Sequence, residues 1–168
     1  MKLKCWRSDF VQRREGGLQG VGLFAIKDIS AHELLAVKAG KIVDEATVIK
    51  HADVINGSHH QIEPDLFMTG LTFDEVDRTL IGYNHSCSPN AYISGQIEVR
   101  SMKDIGAGEE ITVDYATAWT SDTQSFACQC GSPECRKFIK PSVDYKNPKL
   151  REKYKGYFAD YIQLEIDS

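Results

Sequence analysis

The chain has 168 residues, of which 42% are hydrophobic and 26% are charged, and its net charge is −4 with a pI near 5.7. This length suits one globular domain, and the acidic balance argues against direct binding of nucleic acid, which favours a basic surface. No apolar run approaches the roughly 18 residues of a membrane span, and no signal peptide is recognisable at the start. The sequence therefore predicts a protein of the reducing cytoplasm with no membrane partner.

Short apolar segments separated by Gly, Asn, Asp and Ser predict a mainly β fold with short helices. The Ser94-Gly95 pair predicts a tight hairpin turn, and apolar residues at helical spacing predict a short helix within Asp44–Val54. The predicted strands are Gly22–Ile26, Leu34–Ala39, Lys41–Val43, Leu66–Thr69, Ala91–Ser94, Gln96–Arg100 and Ile111–Asp114. Lys27–Glu33 and Lys103–Glu109 are similar to each other, and both predict a strand, a polar turn and a strand.

The C-terminal segment predicts one helix, from Pro148 to Leu164. Asn147 can cap it, and proline suits the first helical position. Apolar and aromatic side chains then recur at spacings of three and four, which predicts a face packed on the domain, with a ligand site or a homodimer contact as alternatives. These residues are Leu150, Tyr154, Tyr157, Phe158 and Tyr161.

Three of the five cysteines lie close together, as Cys128, Cys130 and Cys135 in a C-x-C-x4-C pattern. An odd number of cysteines fits a disulfide framework poorly, whereas structural zinc prefers four ligands in a tetrahedron. The spacing therefore predicts a structural metal site. Its fourth ligand is Cys87, Cys5 or a histidine, and the spacing does not choose among them.

Three further segments each give only a weak indication of function when considered alone. Gly16–Phe24 is a glycine-rich hairpin, Tyr83–Asn90 is a polar loop between apolar strands, and Gly108–Tyr115 ends a strand on a tyrosine. Within the last, Glu109 and Glu110 predict a solvated turn.

In this order and spacing, the segments resemble the SET-domain family of protein lysine methyltransferases over about residues 18–140. Asn84–Asn90 matches the family's N-H-S-C-x-P-N motif, and Gly108–Tyr115 matches its G-E-E-L-T-x-D-Y motif with Ile111 in place of Leu. Gly20–Ala25 resembles its opening glycine motif, and Cys128–Cys135 its post-SET cysteine motif. The resemblance implies a SET fold of small curved sheets with pseudoknot-like threading, followed by a C-terminal α-helix.

The resemblance also implies a division of the chain and a set of roles. Residues 1–127 would form the SET domain, with its core at about 18–116, residues 128–140 the post-SET zinc segment, and residues 141–168 a helical extension packed on the domain. Tyr115 would be the catalytic residue. S-adenosylmethionine would bind Gly20, Gly22, Leu23, Asn84, His85 and Phe138. Structural Zn²⁺ would bind Cys87, Cys128, Cys130 and Cys135.

The implied reaction is methyl transfer to the amine of a lysine in a protein or peptide, with a histone as a candidate substrate and the nucleus as the matching location. A lysine ammonium has no lone pair, and a narrow apolar channel and a nearby sulfonium would both lower its pKa from about 10.4. No dedicated base is then needed, and the Tyr115 hydroxyl would align the amine. Val113 stands where many members carry Phe or Tyr, so the number of methyl groups stays open.

Two other functions compete with this one. A catalytically silent SET fold that binds a peptide or a partner is disfavoured by the presence of Asn84, His85 and Tyr115. A zinc-stabilised structural module would account for Cys128–Cys135 but leaves Asn84–Asn90 unexplained.

Overall fold

A computed structural model describes residues 2–168 and shows a mainly β protein. Its strands are β1 (Trp6–Arg7), β2 (Val11–Gly17), β3 (Gly20–Ala25), β4 (Leu34–Val37), β5 (Lys41–Asp44), β6 (His60–Glu63), β7 (Leu66–Thr69), β8 (Asn84–His85), β9 (Ala91–Ser94), β10 (Glu98–Ser101), β11 (Glu110–Val113), β12 (Phe126–Ala127) and β13 (Phe138–Ile139). Its helices are α1 (Glu45–Lys50), α2 (Ala52–Ile55), α3 (Phe73–Thr79), α4 (Pro141–Asp144), α5 (Pro148–Lys153) and α6 (Asp160–Asp167). Within these residues no helix is long and apolar enough to cross a membrane.

The strands form three sheets. The largest has the order β1-β4-β10-β9-β11-β3-β2, with β8 added alongside β11, and separate sheets consist of β5-β7-β6 and β12-β13. Many apolar side chains of the large sheet are buried and form the main core, which explains why these short segments fold as strands. Among the completely buried ones are Leu23, Leu35, Ile93, Val99 and Ile111.

All seven predicted strands overlap an observed strand. The hairpin between β9 and β10 has a longer loop than a two-residue turn, because Glu98 pairs with Ser94 and leaves three residues between the strands. Gly95 opens that loop with a φ of 62°, a conformation that glycine favours. The longest strand that the sequence did not predict, β2, is mostly polar because it is an edge strand that pairs only with β3.

Two predicted helices are each divided in the structure. The segment Asp44–Val54 forms α1 and α2, which meet at His51. The single C-terminal helix predicted from Pro148 to Leu164 is α5 and α6, since Gly156 has a φ of 82° and interrupts the helical backbone. The aromatic side chains of this region nevertheless lie in the main core. Tyr154, Phe158 and Tyr161 are the most buried of them.

The two similar segments of the sequence lie against each other. Ile29 and Ile105 exchange two backbone hydrogen bonds, each of 2.9 Å. The Asp28 carboxylate accepts the backbone N–H of Ala107, and Asp104 reciprocally accepts that of Ala31, both at 2.9 Å. The similarity therefore reflects a local twofold arrangement, which aligns β3 with β11.

Candidate active site

The strands β8 and β11 bring two distant segments of the chain together. They pair in parallel, with Asn84 opposite Thr112 and His85 opposite Val113. Tyr115 follows directly after this pair. The two motifs that the sequence singled out are therefore neighbours across one short stretch of sheet.

Glu110 joins this pair to the glycine-rich hairpin. Its carboxylate accepts the backbone N–H of Leu18 at 2.9 Å and the Asn84 side-chain amide at 2.7 Å. The same amide donates to the backbone carbonyl of Val21 at 3.0 Å. The predicted solvated turn is therefore wrong for Glu110, which is half-buried, whereas Glu109 is exposed.

Two glycines of this hairpin are required by the close approach of its strands. A Cβ atom at Gly17 would lie 2.8 Å from the Cα of Gly22, and one at Gly22 would lie 3.0 Å from the Cα of Gly17, while both would lie 2.6 Å from Glu110 Oε1. Gly20 turns the hairpin with a φ of 95°. Leu23 is fully buried in the core, so its side chain is not available to a ligand.

His85 connects Tyr115 to the cysteines. Its Nδ1 accepts the backbone N–H of Tyr115 at 3.1 Å, so the ring proton belongs on Nε2, which lies 3.3 Å from Cys87 Sγ. Burial lowers the pKa of His85 to about 4. The imidazole is thus neutral, and its side chain is fully occupied by protein partners.

A buried ion pair fixes the strand end beneath Tyr115. The Asp114 carboxylate is completely buried and accepts two hydrogen bonds of 2.7 Å from the Arg136 guanidinium. Burial alone would raise the pKa of Asp114, but the contact with Arg136 holds it below its usual range. Sequence reasoning missed this pair because the two residues are far apart along the chain.

Four cysteines form a cluster that suits a metal. The Sγ atoms of Cys87, Cys128, Cys130 and Cys135 all lie within 4.8 Å of one another. Four thiolates around one Zn²⁺ at about 2.3 Å would be roughly 3.8 Å apart. The structure thus brings Cys87 to the other three, while Cys5 donates its thiol to the Thr79 carbonyl at 2.9 Å.

Tyr115 lines a small aromatic cavity that we call the amine cavity. It has a volume of about 30 Å³. The Tyr115 ring packs 4.6 Å from Trp119 and 6.5 Å from Tyr83, measured between ring centroids. Tyr83 Oη lies 2.7 Å from His60 Nδ1, and His60 Nε2 lies 2.8 Å from the Gln96 carbonyl. Since that carbonyl can only accept, the Tyr83 hydroxyl donates to His60.

Tyr83, His60 and Trp119 were not predicted as site residues. Only Tyr83 has a sequence signal, its position directly before Asn84. His60 forms no ligand pattern with the other histidines of the sequence. The cavity is assembled from distant segments, so periodicity gives no indication of it.

Another cavity, of about 160 Å³, is lined by His85 together with Leu18, Gln19 and Ala127. It connects the glycine-rich hairpin with the cysteine loop. Phe138 pairs with Ala127 across β12 and β13 but lines neither cavity, and 55% of its surface is exposed.

The β sheet, the paired motifs and a cysteine cluster that could hold a metal define a β domain of the kind that the sequence resembled. Comparison with known families matches residues 20–116 to the SET domain. This match covers more than half of the chain, which therefore belongs to the SET-domain family.

Curated relatives are similar over most of this chain. It is 28% identical over 147 residues to human "Histone-lysine N-methyltransferase 2D", which covers 80% of this chain but 3% of that protein. It is 32% identical over 134 residues to the Debaryomyces hansenii "Histone-lysine N-methyltransferase, H3 lysine-36 specific", covering 73% of this chain and 18% of the relative. The chain thus spans less than a fifth of either relative.

Solved structures confirm the fold. A crystal structure of KRYPTONITE in complex with mCHH DNA, H3(1-15) peptide and SAH matches with a TM-score of 0.56 and 20% identity, over 76% of this chain and 29% of that chain. The predicted mainly β SET fold is therefore confirmed.

Proposed function

We propose that this protein is an S-adenosylmethionine-dependent protein-lysine N-methyltransferase. The observation that carries the proposal is the amine cavity around Tyr115. The pairing of β8 with β11 connects this cavity to the glycine-rich hairpin. The chain also belongs to the SET-domain family. The names of its relatives, which are histone-lysine N-methyltransferases, support the same activity.

The cavity beside Leu18 and His85 suits the cofactor, which supplies an electrophilic methyl group when bound. The backbone of Gly20, Gly22 and Leu23 would hold it, together with Asn84 and His85. Because the imidazole of His85 is used by Tyr115 and Cys87, this residue would contribute through its backbone. Phe138 is exposed and would cover the ligand only after a movement of its side chain.

The amine cavity suits a lysine side chain. Its aromatic walls remove the amine from water, which lowers the pKa of an entering ammonium. The Tyr115 hydroxyl would hold the amine in line with the methyl group, and burial raises the pKa of Tyr115, so that this hydroxyl stays neutral. No carboxylate is among the residues that line the cavity. Burial lowers the pKa of its two histidines, His59 and His60, to about 4 and about 3, which makes both weak bases, in agreement with a reaction that uses no dedicated base.

The four cysteines would bind one Zn²⁺ with a structural role, since a site with four thiolates has no open position. They would connect the loop after Tyr115 to the loop that carries Asn84 and His85. The segment 128–140 would then form the post-SET unit beside the domain of residues 1–127, with residues 141–168 packed on it.

A histone is the proposed substrate and the nucleus the proposed location, because the relatives are named histone-lysine N-methyltransferases. The predicted cytoplasmic location has no support in these findings. A similar structure contains an H3 peptide, but it also contains DNA, so the lack of nucleic-acid binding stays a prediction. The homodimer contact stays a prediction as well.

The test is incubation of the purified protein with tritiated S-adenosylmethionine and either core histones or a nuclear extract, followed by mass spectrometry of the labelled lysine. We expect label on a lysine amine. Cofactor binding in calorimetry with no labelled lysine in either pool would instead support a silent binding fold.

Glu110 gives a prediction about cofactor affinity. Glu110→Ala removes the acceptor of two hydrogen bonds that hold the hairpin against Asn84. We expect S-adenosylmethionine to bind about tenfold more weakly, the effect of losing roughly 1.4 kcal/mol. Calorimetry measures this, and Glu109→Ala is the control because that carboxylate accepts only the backbone N–H of Gly106. Equal affinity in the two variants would contradict the prediction.

A further inference from the structure

Lys38 is a buried lysine that has no acidic partner among residues 2–168. It follows β4, and only 4% of its surface is exposed. Its Nζ donates to the carbonyl oxygens of Ser58 at 2.9 Å and Thr79 at 2.7 Å. Charges removed from water are normally paired, yet the ionisable groups that act on Lys38 are Cys5 and Arg7, with no carboxylate among them. An unpaired charge is costly to bury, which marks a functional position.

Lys38 lines the amine cavity together with Tyr115. An ammonium has three N–H donors, and two of them are satisfied by carbonyls, which leaves one free. Ser58 Oγ, His59 Nδ1 and Trp119 Nε1 are also buried without a hydrogen-bond partner, and these three residues line the same cavity. The amine cavity therefore combines aromatic walls with polar atoms that are not yet paired.

Lys38 is the positive charge of this cavity at neutral pH. Burial lowers its pKa to about 8, Cys5 opposes that shift and Arg7 adds to it. Burial lowers the pKa of His59 to about 4 and that of His60 to about 3, with Lys38 adding to both shifts, so both imidazoles are neutral. Burial also raises the pKa of both cavity tyrosines, which stay uncharged.

We propose that the positive charge of Lys38 makes the amine cavity accept a substrate lysine as the neutral amine. This inference rests on the proposed function. Like charges disfavour two ammonium groups in one cavity. Two backbone carbonyls hold the protonated form of Lys38, whereas the aromatic walls penalise the charged form of the entering lysine, so the entering lysine gives its proton to the solvent. The amine that remains carries the lone pair that forms the new N–C bond as the S–C bond breaks. Lys38 thus favours the reactive form without taking the proton itself.

The kinetic test is the pH dependence of kcat at saturating peptide and cofactor. Lys38→Met keeps the length of the side chain and removes the charge. We expect the apparent pKa of kcat to rise by about 1, which lowers kcat about tenfold at pH 7. Lys38→Arg keeps the charge and should retain the wild-type profile below about pH 8, where Lys38 is itself charged. Lys41→Met, at an exposed lysine paired with Glu75, should retain the whole wild-type profile. A Lys38→Met enzyme that is slower at every pH with an unchanged profile would overturn the inference.

A binding test needs no turnover. n-Butylamine, which is charged at pH 7, and n-butanol, its neutral counterpart, are titrated into the full chain and followed by NMR. We expect Lys38→Met to bind n-butylamine at least about fivefold more tightly than wild type, with n-butanol unchanged. The inference would be overturned if the affinity for n-butylamine relative to n-butanol were the same in wild type and Lys38→Met, or if neither probe bound. If wild type methylates nothing, the proposed function fails while this test still decides on Lys38.

Thermal denaturation checks that Lys38→Met folds. If the variant does not fold, wild type alone provides the comparison. Raising the pH from 7 to 9.5 removes the charge of Lys38. The probe n-butylamine stays charged over this range, because its pKa is near that of lysine, about 10.4. We then expect binding of n-butylamine relative to n-butanol to tighten as the pH rises. A ratio that does not change would overturn the inference.

Discussion

Tyr115→Phe is expected to lower kcat for methyl transfer at least about 100-fold, the usual effect of removing one well-placed hydrogen-bonding group from a reaction. The ring packs against Trp119 and His85, and phenylalanine preserves those contacts. Cofactor affinity and the melting temperature should therefore stay close to those of wild type. The measurement is the initial rate of tritium transfer at saturating cofactor, together with calorimetry.

The control for this variant is Tyr92→Phe. Tyr92 is a tyrosine of β9 whose ring packs 4.9 Å from Tyr157, away from the amine cavity. It should retain the wild-type rate. If Tyr115→Phe transfers methyl groups as fast as Tyr92→Phe does, the hydroxyl has no part in the reaction and the assignment of Tyr115 is wrong.

Loss of the zinc site is expected to have the largest effect on stability. We expect one Zn²⁺ per chain in the purified protein and none in Cys130→Ala, because three thiolates would be left in an open site. Loss of a bound metal is one of the changes that lower the free energy of unfolding by more than about 4 kcal/mol. For a chain of this length, such a loss lowers Tm by roughly 10 °C. Elemental analysis and thermal denaturation measure the two effects. Methyl transfer should also be lost, since Cys87 contacts His85.

Cys5→Ala serves as the matched control, because Cys5 is a buried thiol outside the cluster. It should keep one Zn²⁺ per chain and lose far less stability. Zinc retained by Cys130→Ala, or lost from Cys5→Ala, would show that the four clustered sulfurs are not the ligands.

The sequence predicted those parts of the site whose residues are close together along the chain. Cys128, Cys130 and Cys135 lie in one short loop, so their spacing alone indicates a metal. Cys87 was one of several open choices until the family resemblance singled it out. Alternating polarity and turn residues likewise located the strands, but they could not distinguish one C-terminal helix from two, because Gly156 breaks a pattern that otherwise continues.

The amine cavity could not be predicted in this way. Lys38, His60 and Tyr83 come from three segments, and nothing in their local sequence indicates that they meet. Lys38 stands among apolar residues at the end of a strand, where a lysine is ordinarily at the surface. Its burial depends on the carbonyls of Ser58 and Thr79, which are supplied by the fold alone.

The attachment of α5 has a consequence for how the protein is made. The backbone carbonyl of Cys87 accepts the Lys153 ammonium at 2.9 Å and the Tyr154 hydroxyl at 3.1 Å. The other three cysteines of the cluster also lie in the last third of the chain. During synthesis, the loop that carries Asn84 and His85 therefore leaves the ribosome before Lys153 and Tyr154, the partners that hold it. Until those residues emerge, this side of the core is incomplete and its apolar walls are exposed, a state that favours aggregation.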